Sequence, residues 1–550
     1  MNGLAEPLSL EAGAAATAAA AAAAEPGQEA VRGRSLHREA ETNPRGRKRR
    51  QEHPGTRAAK ARLNLGDVKP SDSHLKKSIH RMLKQLGHSQ RSRLVEHMRR
   101  INKKLRTGSA CSGSEIALVV NTIIMTFLKG EVENIFSCEK APAKADFIAK
   151  VVEPFCGADT SFDEDSCCFK DILHLGAAEA ECHKHGTACR VRHVHFKSTG
   201  FSCKNLSKLF SNKKSGIDPK KCFADKTGSS GETLDGLLAY VKSHSPSILV
   251  CENVDDLMGK SFEENHKYLL AEFRSVGYAA HCQEVVSTSY GCPQRRKRTY
   301  IVAYKVPPGW SYEAVMELAV EACALAESLQ VPACKLGTFL LPRSDPYLTG
   351  ELSRRQRHRD AMDESLLTLD AAEWRDKNRR LLERDGIAVS MCVVPSSHRQ
   401  SPWYNILTPR QRMVLAHGFL THGDAENRLE HCDVYQTMGR EFVSTDPNVI
   451  PTIVPNSLLW MVAQERLMTG FEALRVQSSP VNIIRKAVQL NYSDSFLADL
   501  AGNMFTGTVY AAFAIAALVC APGEVAPAAP TATTEAAVVT DVVGSFFGFM

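Results

Sequence analysis

Between residues 76 and 305 the hydrophobic pattern alternates between two periods. Ile79, Met82, Leu83 and Leu86 recur at three- and four-residue spacing, which places them on one face of a helix. Short apolar runs then appear at Ile135-Phe136, Cys168-Phe169, His193-Val194-His195-Phe196, Ile248-Leu249-Val250 and Tyr300-Ile301-Val302, with helical stretches between them. Strands that alternate with helices pair in parallel through crossover connections. The pattern therefore predicts an α/β, doubly wound, Rossmann-like sheet over 76–310. From 311 to 455 the regularity fades into sequence rich in charge, histidine and proline, including the cluster Arg354-Arg355-Gln356-Arg357. This stretch reads as a smaller inserted domain, after which 456–521 returns to apolar helical sequence.

The two ends read differently. Residues 1–75 are alanine-rich and then strongly basic, through Arg45-Gly-Arg-Lys-Arg-Arg50 and Lys60-Ala-Arg62. Such sequence buries too little apolar area to offset the entropy of ordering it, so a disordered tail is expected. Four basic residues in one short cluster also suit a nuclear import signal, hence an expected nuclear location. Glu6 and Glu11 precede the alanine run, against a secretory leader. Residues 522–550 read as a flexible tail.

Over 550 residues, 43% hydrophobic and 23% charged content supports more than one folded unit, and a net charge of +7 permits a polyanionic partner without requiring one. Seventeen scattered cysteines suggest reduced, intracellular thiols rather than a disulfide framework. Met504–Ala521 carries no charge, but its alanine, threonine and glycine content favours a buried helix over a membrane span, and no membrane partner is expected.

Three segments carry candidate chemistry. Thr199-Gly-Phe-Ser-Cys-Lys-Asn-Leu-Ser207 follows a β-like run, which would set Cys203 on a loop at the carboxyl end of a strand, where open α/β sheets bind ligands. Ile248-Leu-Val-Cys-Glu-Asn-Val254 brings Glu252 to the same edge, and poor solvation there would raise its pKa. In Tyr290-Gly-Cys-Pro-Gln-Arg-Arg-Lys-Arg298, an extended backbone would put Gln294, Arg296 and Arg298 on one face.

In order and spacing these segments resemble the C5-cytosine-specific DNA methyltransferase family, over about 105–518. The Cys203 loop resembles the family's Pro-Cys-Gln loop; Glu252-Asn253-Val254 matches its Glu-Asn-Val motif, and Gln294-Arg-Arg296-Lys-Arg298 its Gln-x-Arg-x-Arg motif. Arg466-Leu-Met-Thr469-Gly-Phe-Glu472, with Gln477 and Pro480, and Ala501-Gly502-Asn503 are similar to two later motifs. The resemblance implies S-adenosyl-L-methionine as cofactor, bound by the turn Cys111-Ser112-Gly113 and by Glu139, Asp171, Ile172 and Asn503. It implies Cys203 as nucleophile, with Glu252, Arg296 and Arg298 as catalytic partners, and Phe201, Ser207, Asn253 and Gln294 toward the substrate. The implied substrate is a flipped-out cytosine in DNA, with 311–455 as target-recognition region. RNA as acceptor, or a DNA-binding protein without activity, stays open.

The chain departs from the family at Ser202, where proline is usual, at Lys204, where glutamine is usual, and at Cys111, where an aromatic residue is usual. Separately, Cys182-His183-x-His185, Cys189, His193 and His195 follow Cys167-Cys168. Their spacing matches no common zinc finger, so no metal is expected there.

Overall fold

The computed structural model describes residues 73–157, 166–206, 217–362, 376–422, 428–438 and 443–523. Ser207 and the basic N-terminal clusters lie outside the described residues. In chain order the strands are β1 (Lys104–Ala110), β2 (Glu131–Cys138), β3 (Cys167–Phe169), β4 (Glu179–Glu181), β5 (Ala188–Arg190), β6 (Phe196–Thr199), β7 (Ile248–Val254), β8 (Tyr278–Val286) and β9 (Lys297–Lys305). Seven of them form the central sheet in the order β3-β2-β1-β6-β7-β9-β8. Neighbours from β3 through β7 are parallel, whereas β9 runs antiparallel between β7 and β8.

The chain builds outward from β1 to β3 on one side, then from β6 to β7 on the other. Crossovers on opposite faces leave a crevice where the order reverses, here between β1 and β6. The loops that follow those two strands are Cys111–Glu115 and Gly200–Cys203, so the topology gathers both sequence-predicted loops at one place. The apolar run Ile248–Cys251 is buried throughout, as a central strand covered on both faces must be.

Two strands of the central sheet escaped the sequence pattern. β1 contains Leu105 but otherwise small and polar residues, because its far half is packed too closely for larger ones: a Cβ at Gly108 would lie 2.9 Å from the Phe136 ring. β8 is the strand beyond β9, and its presence makes β9 an internal strand rather than a basic edge. The strand expected over His193–Phe196 begins only at Phe196.

The helix Tyr312–Ser328 covers β8 with buried Val315, Ala319, Ala322 and Cys323. It is part of the helical layer on the central sheet. β10 (His431–Asp433), β11 (Val443–Ser444), β12 (Leu459–Met461) and β13 (Arg466–Leu467) form a separate antiparallel sheet in the order β11-β10-β12-β13. This sheet draws on residues on both sides of 455, and Trp460 of β12 is fully buried.

The apolar run Met504–Ala521 contains the buried helix Gly507–Val519, and Ala501-Gly502-Asn503 end the helix before it, Asp494–Asn503. Gln477 holds the break between them. Its side-chain amide donates to the Ala501 carbonyl at 2.9 Å and accepts from the Thr506 hydroxyl at 2.8 Å, and its own carbonyl accepts from the Gly507 N–H at 3.0 Å. All residues of the second helix are buried against the sheet and its covering helices, which accounts for their lipid-like composition.

Candidate active site

The Cys203 loop is tied to the N-terminal end of the helix Gly228–His244. The Ser202 N–H donates to Thr233 Oγ1 at 2.9 Å, and Ser202 Oγ lies 3.0 Å from Ser229 Oγ. The Asn205 N–H donates to Ser230 Oγ at 3.0 Å, while Asn205 Oδ1 accepts from the Ser230 N–H at 3.0 Å. Proline has no N–H to offer Thr233. Where the family usually relies on ring rigidity before the nucleophile, this chain uses hydrogen bonds. Gly228 makes the close approach feasible, since it has φ of +64° and a Cβ there would meet Asn205 Oδ1 at 2.6 Å. The same helix packs Gly236 against the backbone of Ile172, so it also supports the turn that carries Asp171.

β7 and β9 supply the groups facing that loop. Glu252 and Arg298 lie near paired positions of the two strands, and Glu252 Oε1 sits 3.1 Å from Arg298 Nε and 3.7 Å from Arg296 Nη2. Burial raises the Glu252 carboxyl above its usual range, and the Arg298 and Arg296 charges act against that rise. Burial likewise pushes the Cys203 thiol up, with Arg298 opposing and Glu252 reinforcing the shift. The buried Glu252 Oε1 accepts no aligned hydrogen bond within the protein, so the carboxyl keeps capacity for another partner.

Arg296, Asn253, Gln294 and Phe201 have interior tasks. Arg296 donates to the carbonyls of Ile453, Gly502 and Met504 at 3.1, 3.2 and 3.0 Å, and burial pulls its guanidinium down to about 10. It joins β9 to the segment that ends in Asn503. Asn253 donates its amide to the Phe201 carbonyl at 3.0 Å and accepts from the Val254 N–H at 2.9 Å, which engages both ends of its side chain. Phe201 is buried beside Phe223. The Gln294 side chain is fully buried with no hydrogen-bond partner, while Arg295 and Lys297 point outward, as the extended backbone predicts.

Across the crevice, Cys111, Gly113 and Glu115 adopt left-handed φ of 53°, 56° and 55°, a tightly wound turn despite its single glycine. The Glu139 carboxylate, at the end of β2, accepts from the N–H groups of Gly113 and Ala141, both at 3.0 Å. Asp171, beyond β3, accepts from the Leu173 N–H at 3.1 Å and pairs with the exposed Lys140 at 2.9 Å. Hydrogen bonding and that charge hold its carboxyl low against the opposing effect of burial, the largest single influence. Ile172 is buried beside it. A Cβ on Gly113 would lie 3.7 Å from the Asn503 carbonyl oxygen, so the C-terminal motif closes over the turn. Ser112 is buried, and the buried Ser114 hydroxyl lacks a hydrogen-bond partner. Desolvation pushes the Cys111 thiol up to about 12, which leaves it unreactive.

The sequence did not single out the anchors Ser229, Ser230, Thr233 and Asn205, nor Lys140 and Ser114. The only available signal was the density of serine and glycine in Gly228-Ser-Ser-Gly231. Arg466 and Glu472 form a buried bidentate pair at 2.9 and 2.6 Å, and Glu472 also accepts from the Leu341 N–H at 2.8 Å, which gives that motif a structural role. Of the cysteine and histidine group, Cys167, Cys182, His185 and Cys189 converge, whereas His193 turns to the His244 carbonyl.

A family model described as C-5 cytosine-specific DNA methylase matches residues 199–505. The chain is 26% identical over 448 residues to the DNA (cytosine-5-)-methyltransferase DMT5 of Cryptococcus neoformans, covering 77% of this chain and 17% of that protein. It is 25% identical over 315 residues to the protein of the same name in Verticillium dahliae, covering 53% of this chain and 12% of that one. The chain thus spans less than a fifth of either fungal relative. Among solved structures, the S. pombe Dnmt2 methyltransferase aligns over 76% of this chain and 98% of its own, with 12% identity and a TM-score of 0.36. Since the matched span runs from the nucleophile loop to the C-terminal motif and covers more than half of the residues, the chain belongs to the C-5 cytosine-specific DNA methylase family.

Proposed function

We propose that this protein methylates carbon 5 of cytosine in DNA through a covalent adduct at Cys203. The observation that carries the reading is the hydrogen bond from Asn253 to the Phe201 carbonyl, which ties the strand bearing Glu252, itself 3.1 Å from Arg298, to the loop bearing Cys203. Carbon 5 becomes nucleophilic only after a thiolate adds to carbon 6, and the charge this places on the ring needs a proton or a hydrogen bond at N3. Glu252, raised by burial, suits that donation. Arg298 favours the thiolate and offers a guanidinium to the base's O2. Arg296 and Asn253 hold the surrounding backbone. Once carbon 5 carries the methyl group, its proton passes to water, the electrons of that C–H bond re-form the 5,6 double bond, and the C6–S bond breaks to free the Cys203 thiolate.

The crevice residues fit S-adenosyl-L-methionine. The orphaned Ser114 hydroxyl and the acceptors at the ends of β2 and β3 suit its polar groups. Glu139 would hold the ribose hydroxyls, Asp171 and Ile172 the adenine, and the Cys111–Gly113 turn with Asn503 the remainder. When bound, it supplies the electrophilic methyl group.

The target carbon is inaccessible inside a duplex, so the base is flipped out, at a cost of about a few kcal/mol recovered in the pocket. Of the cluster Arg354–Arg357 in the recognition region, Arg354 and Arg355 are paired with Glu351 and Asp494, which leaves Arg357, with His358 and Arg359 on the same helix, for the phosphate backbone. DNA as acceptor and the basic N-terminal cluster together favour a nuclear location.

The test is incubation with labelled S-adenosylmethionine and either duplex DNA or RNA, followed by nucleoside analysis. 5-Methylcytosine in DNA, absent with Cys203→Ala, supports the proposal. Product in RNA alone, or undiminished product from Cys203→Ala, overturns it. Duplex DNA containing 5-fluorocytosine should trap the chain through Cys203.

A further inference from the structure

We propose that Cys167, Cys182, His185 and Cys189 form a structural zinc site that staples the β4–β5 hairpin to the edge of the central sheet. Their four ligand atoms, three Sγ and His185 Nδ1, all lie within 4.8 Å of one another. From His185 Nδ1 the distances to the sulfurs of Cys167, Cys182 and Cys189 are 3.8, 3.6 and 3.2 Å. Zinc–sulfur bonds of about 2.3 Å and zinc–nitrogen bonds of about 2.0–2.1 Å, set tetrahedrally, require sulfur-to-nitrogen edges of roughly 3.5 Å. The observed edges bracket that length.

The sequence spacing is uninformative because the ligands come from two elements. Cys167 opens the edge strand β3, while the other three lie on the hairpin, as Cys182-x2-His185-x3-Cys189. The fold brings them together through the Lys170 N–H, which donates to the Glu181 carbonyl at 2.9 Å, and the His183 N–H, which donates to the Cys168 carbonyl at 2.7 Å. Gly186, with φ of +68°, makes the hairpin turn.

The surroundings suit a metal-bound thiolate. The Cys168 N–H donates to Cys182 Sγ at 3.3 Å, and such an N–H···S contact orients a coordinating thiolate from outside the metal's own shell. Three thiolates and one imidazole in tetrahedral array select zinc among the common cations. His185 is exposed and Cys189 only partly buried, so ions can reach the site.

The hairpin also needs such a link. Along β4 and β5 only Ala180 is buried, and an isolated two-stranded hairpin is marginal in water. A metal cross-link supplies the stability its core lacks. It also covers β3, otherwise a bare sheet edge. The hairpin further places His183 Nε2 3.1 Å from the Glu139 carbonyl, so the staple supports the end of β2 where the crevice acceptor sits.

The full chain, purified without chelator from zinc-supplemented cells, should contain equimolar zinc by mass spectrometry. After chelation, cobalt(II) should give thiolate charge-transfer bands with tetrahedral d–d absorption. His185→Cys, which keeps four soft ligands, should retain the metal, and Cys182→Ser with Cys189→Ser should lose at least nine-tenths of it. Zinc-free intact chain that gives no cobalt bands overturns the proposal. So does zinc retained by the double variant, or a Cys167–Cys182 disulfide in protein prepared under reducing conditions.

Discussion

The side-chain amide of Asn253 donates to the carbonyl of Phe201 at 3.0 Å, so the strand that carries Glu252 also fixes the loop that carries Cys203. One hydrogen bond thus sets the separation between the nucleophile and the group that would hold the base. Asn253→Ala leaves a buried carbonyl unsatisfied and should cost about 1–3 kcal/mol of stability. Because reaction rates respond steeply to misplaced groups, methyl transfer should fall by about 100-fold. Parallel denaturant melts and single-turnover assays check this; a rate loss no larger than the stability loss predicts would count against the linkage.

Ser202→Pro restores the residue usual in the family, yet here it should be harmful. Proline removes the donor to Thr233 Oγ1 and the Ser202 hydroxyl beside Ser229. Methylation should drop at least tenfold, with thermal stability lowered. Ser202→Ala, which keeps the N–H, should retain most of the rate. Equal activity of the proline variant and the parent would remove the anchoring argument.

The pH profile follows from two raised groups. The reactive arrangement needs a protonated Glu252 and an ionised Cys203, a form most abundant between their two pKa values and falling on either side. Since burial moves both upward, the acid limb should lie above the ordinary carboxylate range and the alkaline limb above that of a free thiol. In Glu252→Gln, whose amide does not titrate, the residual rate should follow thiolate formation alone, rising to a plateau and losing the alkaline limb. An alkaline fall that persists in that variant would assign it to another group.

Lys197 is fully buried in β6, has no hydrogen-bond partner, and lies over the Phe136 and Tyr240 rings at 4.3 and 5.0 Å. Burial lowers its pKa from 10.5 to about 8. The unfolded chain therefore holds this proton more tightly than the folded one, and its contribution to stability rises as pH climbs from about 8 toward 10.5. Below pH 8 the buried charge is a cost. Lys197→Met should stabilise the protein at pH 7 by about 1–3 kcal/mol, less whatever the two ring contacts supply. Urea melts at pH 7 and pH 9.5 test this, and the gain should shrink at the higher pH.

Arg296→Lys should be the most damaging conservative change. A single ammonium cannot reach the carbonyls of Ile453, Gly502 and Met504 with the fork geometry of a guanidinium. A loss of about 2–4 kcal/mol is expected, detectable in the melting midpoint, together with weaker binding of S-adenosylhomocysteine as Asn503 loosens.

Local pattern was enough to predict the α/β class, most sheet strands, the loop position of Cys203 and the inward alternation of Gln294, Arg296 and Arg298. Those features repeat with the period of a strand or helix, or follow from chemistry confined to a few consecutive residues. The order of the strands, and with it the crevice between β1 and β6, arises from crossovers that periodicity does not encode. For the same reason, local pattern does not show what the helix Tyr312–Ser328 and the strands β12 and β13 pack against. Tertiary structure also decided which polar residues serve the interior, as with Asn253 and Arg296. Above all it decided the cysteine and histidine group, whose spacing reads as no finger because the fourth ligand lies on the neighbouring strand. Contacts between residues far apart in the chain depend on three-dimensional closure, and that is where this protein places both its nucleophile's supports and its proposed metal.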